Sequence, residues 1–164
     1  MTELKHTVFL GFGSNIGDRR SAILNAAEAM TAHSGMALVR LSPLYASPAM
    51  LPENAPQDWD SEFLNAVGEY RTSLSPEHVL SLLQEQERRA GRQDRGKWGP
   101  RELDVDILAY DHLHRNDADL QLPHPGIASR DFVLLPWRDI APGWQHPNIA
   151  ELAGALGSIT AKPL

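Results

Sequence analysis

Between Leu103 and Leu108 the chain reads Leu-Asp-Val-Asp-Ile-Leu, and this short run constrains the fold more than any other, because it sets two carboxylates on alternate positions of an apolar segment. Leu103, Val105, Ile107 and Ala109 alternate with Asp104, Asp106 and Leu108, the period of two expected of a half-buried strand. Such a strand buries one face and leaves the other accessible. Asp104 and Asp106 then point the same way, with Cα atoms roughly 6.5 Å apart at the usual rise per residue. A bare Asp-x-Asp is often just a solvated strand face, but paired aspartates are poor strand formers and repel each other, which implies a compensating cation. Carboxylates suit hard, oxygen-seeking Mg²⁺, which keeps positions for phosphate oxygens and water. Just upstream, Arg88, Arg89, Arg92, Arg95, Lys97 and Arg101 concentrate positive charge in a chain whose formal net charge is −6. A basic loop containing Gly99-Pro100, set against an acidic pair, is an arrangement for a metal-bound polyphosphate.

The rest of the chain supplies partners for that strand. His6 to Gly13 reads as a first strand that stops at Gly13-Ser14-Asn15. Asp18 then caps a helix carrying Ile23, Ala26, Ala27 and Met30 at helical spacing and stopping at Gly35. Met36 to Tyr45 reads as a second strand, followed by a proline-rich loop from Ser47 to Asp58, of a length that in compact domains is usually functional or disordered. Glu62 to Arg71 makes a third strand, with Phe63, Asn65 and Val67 on one face. Ser75-Pro76-Glu77 starts a second helix that runs to about Gly91 and presents Gln84 and Glu87 side by side near its end. The order strand, helix, strand, strand, helix, strand is the ferredoxin-like βαββαβ pattern, an α+β fold with an antiparallel sheet, both helices on one face and the other face open for a ligand. Short helical patterns follow at Asp131 to Ile140 and Ile149 to Leu156, expected to wrap the sheet edge.

With 164 residues and 42% hydrophobic content, one domain spanning 1–164 is the expectation. No stretch approaches a membrane span, and Met-Thr-Glu-Leu-Lys-His lacks the apolar run of a secretory signal, so the reading is cytoplasmic, with no membrane partner. The absence of cysteine excludes disulfides and thiolate chemistry. The acidic balance, with one local basic patch, argues against nucleic acid and for a small anion. Gly11-Phe-Gly13-Ser-Asn-Ile-Gly17 is neither a P-loop nor a Rossmann turn; its glycines suit a tight turn with close backbone approach to a ligand, or equally a plain strand-to-helix turn. His112 and His114 lack a third ligand at metal spacing.

Taken together, the Lys97–Leu108 segment, Gly13-Ser14-Asn15, Phe63-Leu64-Asn65 and Pro123-His124 closely resemble 6-hydroxymethyl-7,8-dihydropterin pyrophosphokinases, over about residues 7 to 142. The resemblance implies a ferredoxin-like enzyme of folate biosynthesis, monomeric in many bacteria, that transfers the β,γ-pyrophosphoryl group of ATP to the pterin's hydroxymethyl group and releases AMP. It makes Asp104 and Asp106 ligands of two Mg²⁺ ions, and Arg92 and Arg101 the loop arginines that clamp the phosphates. Trp98 matches a residue that closes over the site. Gln84, Glu87, Ile107, His124 and Arg130 match nucleotide-side contacts. Phe63 and Phe132 match the stacking pair around the pterin, Asn65 its edge-reading amide, and Asn15, Ser47 and Pro48 the rest of the rim. The loop from Arg92 to Trp98 is one residue shorter than the pattern, which leaves Asp94 or Arg95 at the place of the second loop arginine, with Arg95 the favourite, and Asp119 stands where a basic nucleotide contact is expected. The segment 51–62 is long for the family.

On the residues alone, another Mg²⁺-dependent nucleotidyl or phosphoryl transferase and a non-enzymatic nucleotide-binding module stay open, since fold does not decide function. No single residue declares itself a general base; Asp106 is the favourite.

Overall fold

The computed structural model describes residues 3–48, 53–57, 62–93, 95, 99–127, 130–143 and 162–163. Strand β1 (His6–Ser14) lies between β4 (Phe63–Thr72) and β5 (Asp104–Tyr110), antiparallel to both. Helix α1 (Arg19–Ala29) follows a turn in which Gly17 adopts φ 76°, a left-handed conformation open to glycine, and Asp18 caps the helix by accepting from the Ser21 N–H at 3.1 Å. A 3-10 turn, Met30–Ala32, ends it before Gly35. Helix α2 (Pro76–Arg89) starts on Ser75, whose hydroxyl accepts from the His78 N–H.

The expected second strand is two strands. β2 (Met36–Leu41) pairs with the C-terminal half of β4 and β3 (Tyr45–Ser47) with its N-terminal half, so the two lie end to end along one partner. The break falls at Ser42-Pro43. Proline has no N–H for the ladder, and the Ser42 hydroxyl accepts from the Val67 N–H at 2.9 Å where the strand gives out. β8 (Lys162–Pro163) extends the sheet beyond β3, and β6 (Arg115–Asn116) with β7 (Gln121–Leu122) forms a separate hairpin.

Alternation along the strands sorts two cores. Val8, Leu10 and Phe12 of β1, Leu64, Ala66 and Tyr70 of β4 and Val105 and Ile107 of β5 pack with Ile23, Ala27, Val79 and Leu83 of the two helices. The Tyr70 hydroxyl donates to the Ala27 carbonyl at 2.7 Å, tying α1 to the sheet. On the opposite face, Phe9, Val67, Leu108 and Ala109 pack against α3 (Asp131–Ile140) through Val133, Leu134, Trp137 and Ile140. Each fully buried large side chain there contributes about 1.5–3 kcal/mol. The C-terminal helix therefore does not wrap the edge, and the second face is not open along its whole length. Its apolar stripe is what a half-covered sheet face needs; it packs over Phe9, Val67, Leu108 and Ala109 and leaves bare the end where β1 carries Gly11 and Gly13. The second expected helix, Ile149 to Leu156, lies outside the described residues.

The alternation expected on β5 also changes hand once. The register shifts opposite Phe9 and Leu10, so Leu108 and Ala109 both reach the α3 side before Tyr110 returns to the helix side. This bulge leaves Asp104 and Asp106 undisturbed on the α3 side of the sheet.

Candidate active site

Gly11 and Gly13 sit within β1 on the α3 side, where side chains would otherwise cover the sheet. Register then builds a row across three strands: Asp104 pairs Gly13, which pairs Asn65, and Asp106 pairs Gly11. Asp104 and Asn65 therefore stand two strand spacings apart, about 10 Å, on either side of a bare floor. A cavity of about 300 Å³ occupies that floor, lined by Gly11, Gly13, Ser47, Pro48, Phe63, Asn65, Gly99, Arg101, Asp104, Asp106, Leu108, His124, Arg130, Phe132 and Val133 among others. A second cavity of about 340 Å³ adjoins it through Gly99 and Arg101. Gln84, Glu87, Arg88, Arg92, Gln93, Arg95 and Pro100 complete its lining.

On the β5 side the geometry is one of charge. Helix α2 ends in a turn where Gly91 takes φ 80°, the Gly91 N–H donates to the Arg88 carbonyl and the Arg92 N–H to the Glu87 carbonyl. That closure folds Arg92 back, so its guanidinium bridges Glu87 and Asp104, the latter at 3.1 Å. Arg101 reaches the same Asp104 oxygen at 3.0 Å. One Glu87 oxygen also accepts from the Val105 N–H at 3.1 Å, docking α2 on β5. Burial raises the Glu87 carboxyl above its ordinary value, against the pull of Val105 and Arg92.

Asp106 is pushed up to about 7, first by burial and then by the neighbouring Asp104 charge, with Arg130 opposing. Its side chain still opens 37% of its surface, so a ligand can reach it. A carboxyl held near neutrality beside a second carboxylate is a site that a hard divalent cation would relieve. Asp104 and Asp106 would be its protein ligands. Among the described residues no group of three or more histidine or acidic side chains gathers as a metal site.

His124 accepts from the Gly126 N–H through Nδ1 at 3.1 Å, which leaves Nε2 as the protonated nitrogen, 3.9 Å from Asp106. Burial and then Arg130 hold its pKa below the ordinary value, so the ring is neutral at pH 7. Arg130 precedes α3 and lies 5.9 Å above the Phe132 ring.

On the β4 side the groups at the cavity are neutral and joined by hydrogen bonds. Asn65 is 5% exposed, and its Nδ2 donates to Ser47 Oγ at 2.8 Å and to the Tyr45 carbonyl at 3.3 Å. Phe63 and Phe132 both line the cavity beside it. The Tyr45 hydroxyl donates to Asp139 at 2.5 Å, pinning β3 to α3.

Most of the residues singled out in the sequence converge on these two cavities. Asn15, expected to face the substrate, is not among the lining residues of either cavity: it is 2% exposed, its Oδ1 accepts from the Arg101 N–H at 2.8 Å and its N–H donates to the Arg101 carbonyl. It holds the backbone of Arg101. The Ile107 side chain points into the helix-side core at 4% exposure, away from both carboxylates, because β5 alternates. Asp119 is exposed in the turn between β6 and β7 and lines neither cavity. Arg95 lines the second cavity and pairs with Glu102. Arg88 and Arg89 pair with Glu85 at the surface. Trp98 lies outside the described residues. The sequence reading missed Glu102, whose carboxylate takes both Arg95 and the Gln93 N–H, and the Tyr45 carbonyl and Tyr45–Asp139 bond, which carry no local signal.

Residues 9–142 match the family model described as 7,8-dihydro-6-hydroxymethylpterin-pyrophosphokinase (HPPK). The chain belongs to that family. Its curated relatives include 2-amino-4-hydroxy-6-hydroxymethyldihydropteridine pyrophosphokinases of Aquifex aeolicus, 42% identical over 86% of this chain and 84% of the relative. That of Methylorubrum extorquens is 39% identical over 82% of each chain. Among solved structures, the Plasmodium falciparum HPPK-DHPS wild type with pteroate superposes with a TM-score of 0.68 at 12% identity, over 92% of this chain and 43% of that longer one. This shows that the HPPK fold is shared. The ferredoxin-like order of β1, α1, β2 with β3, β4, α2 and β5 is that fold, and the glycine floor lies inside the matched region.

Proposed function

We infer that this chain transfers the β,γ-pyrophosphoryl group of ATP to the hydroxymethyl group of 6-hydroxymethyl-7,8-dihydropterin, the reaction for which its family and curated relatives are named. The observation that carries the reading at the level of residues is the row Asp104–Gly13–Asn65, which sets a carboxylate pair and an amide about 10 Å apart across a floor with no side chains.

In this reading Phe63 and Phe132 stack on the pterin, Asn65 reads its edge, and Ser47 and Pro48 complete the rim. The substrate's hydroxyl then points toward Asp106. Its oxygen attacks the β-phosphorus of ATP while its proton passes to Asp106, the favoured acceptor, the bond from that phosphorus to the oxygen bridging to the α-phosphate breaks, and AMP leaves with that oxygen. Two Mg²⁺ ions on Asp104 and Asp106 would neutralise phosphate charge and orient the triphosphate when bound. Arg92 and Arg101, held on Asp104 without nucleotide, turn to the phosphates, where a planar guanidinium serves better than a point charge. His124 donates through Nε2–H, and Arg130 adds charge beside it. Gln84 and Glu87 border the nucleotide in the second cavity, with Arg95 as the further loop arginine and Trp98 closing the site. Ile107 can contribute only main-chain groups. Asn15 acts on Arg101 rather than on pterin.

We also place the protein in the cytoplasm as a monomeric single domain with small-molecule partners only. Among the described residues no helix is long and apolar enough to cross a membrane.

The test is to supply ATP, Mg²⁺ and 6-hydroxymethyl-7,8-dihydropterin and resolve the adenine nucleotides. AMP formed only with the pterin is expected. ADP would point to another phosphoryl transfer, and ATP binding without turnover to a binding module.

A further inference from the structure

We propose that Ser47 is a positioning residue that locks the Asn65 amide in one orientation, so that the cavity meets only its carbonyl oxygen and selects a heterocycle presenting an N–H donor to it. The proposal rests on the pterin reading of this cavity.

An amide side chain has two donors and one acceptor oxygen. Both Asn65 donors are consumed inside the sheet, one by Ser47 Oγ at 2.8 Å and one by the Tyr45 carbonyl at 3.3 Å. The carbonyl decides which end of the amide faces inward. A backbone oxygen can only accept, so turning Oδ1 toward it would oppose two acceptors in a buried setting. Ser47 is 3% exposed and sits opposite Phe63 on β3, so its hydroxyl has little freedom to leave. Tyr45 is pinned in turn by its bond to Asp139. The remaining atom, Oδ1, lies over Gly13, 3.5 Å from where a Cβ on that residue would stand, and takes no hydrogen bond from the described residues. It is a fixed, acceptor-only reader at the cavity floor.

A ligand edge with an N–H there gains a bond, whereas one with a carbonyl oxygen meets acceptor on acceptor. Sites built on such a polar contact discriminate strongly, because the mismatched pair leaves both groups unsatisfied. Removing the Ser47 hydroxyl leaves one amide donor unpaired and the orientation held by the longer Tyr45 bond alone, which lowers the cost of turning the NH₂ to the cavity.

The experiment compares 6-hydroxymethyl-7,8-dihydropterin with its 2-oxo counterpart, which carries a carbonyl in place of the amino group, in wild type, Ser47→Ala and Ser47→Thr, with the ATP KM and Tm measured alongside. Wild type is expected to prefer the amino compound by about 10²-fold or more in kcat/KM. Ser47→Ala raises the pterin KM about tenfold, places most of the loss in KM rather than kcat, and cuts the amino-to-oxo preference by about fivefold or more. Ser47→Thr, which keeps the hydroxyl, restores the preference. An unchanged preference in Ser47→Ala overturns the proposal, as does a parallel rise in the KM of ATP and pterin, which would mark a merely structural role. Independently of any variant, the Asn65 side-chain NH₂ protons should stay protected from exchange in the free protein and in the pterin complex; exposure of that NH₂, or its engagement by pterin, also overturns it. Wild type that fails to use the pterin at all sinks the underlying reading, which separates the two failures.

Discussion

On the β3–β4 wall of the cavity the polar side chains, Asn65 and Ser47, are neutral, buried and bonded to each other, and Asn65 also bonds to the Tyr45 carbonyl; only the far end of Tyr45 reaches an acid, the exposed Asp139 on α3. On the β5 wall they are charged and half-exposed, and the pairs share members: Asp104 takes Arg92 and Arg101, and Arg92 also takes Glu87. The first arrangement has its geometry before any ligand arrives and suits reading a flat heterocycle. In the second, the proposed reaction would have the ion pairs exchange partners when phosphate enters, which half-exposed arginines can do at small cost. One wall works by preorganised shape, the other by replaceable charge, and the glycines of β1 keep them apart.

The comparison breaks if each wall does not fail in its own way. The largest effect is expected from Asp106→Ala, which should lower kcat by about 10³-fold or more while leaving pterin affinity within about twofold in a binding titration without ATP. Pterin affinity that falls in step with kcat would mean the walls are not separable. Next, Asn65→Ala should weaken pterin binding by about 10–100-fold, the loss of a buried hydrogen bond that leaves its partner unsatisfied, with ATP binding unmoved by calorimetry.

A smaller effect concerns pH. The native Asp106 carboxyl is raised to about 7, so the folded protein holds a proton there that the unfolded chain has already released. Stability without divalent cation should therefore fall as pH rises from the ordinary carboxylate range to about 7 and level off above it. Asp106→Asn should flatten that slope in urea melts, and added Mg²⁺ should stabilise wild type more at pH 8 than at pH 6. A slope of the opposite sign would reject the account of the charge wall. The smallest change is Glu102→Gln, which loosens the tie from Glu102 to Arg95 and the Gln93 N–H. It should shift the ATP KM about two- to fivefold and stability by about 1 kcal/mol or less, leaving pterin KM alone.

Much of the charge wall was legible in the sequence because strand periodicity alone puts Asp104 and Asp106 on one face, and because Arg92 and Arg101 flank that strand at short range. Asn65 beside Phe63 was legible for the same reason. What supports Asn65 was not, since Ser47 and Tyr45 are 18 and 20 residues away and meet it only through pairing of β3 with β4. The partner of Asn15 was not legible, because a polar residue at a strand end looks alike whether it faces ligand or another loop; its bonds to Arg101 span 86 residues.

The βαββαβ order, the caps at Asp18 and Ser75, the acidic pair and the bare glycines of β1 are set by local chemistry: side-chain period, capping oxygens and backbone freedom act within a few residues. Where α3 packs, where β5 bulges at Leu108 and which way the Asn65 amide points were decided only in the folded molecule. Each depends on which distant surface is available to be buried, or on which distant acceptor stands opposite, and neither is a property of the segment itself.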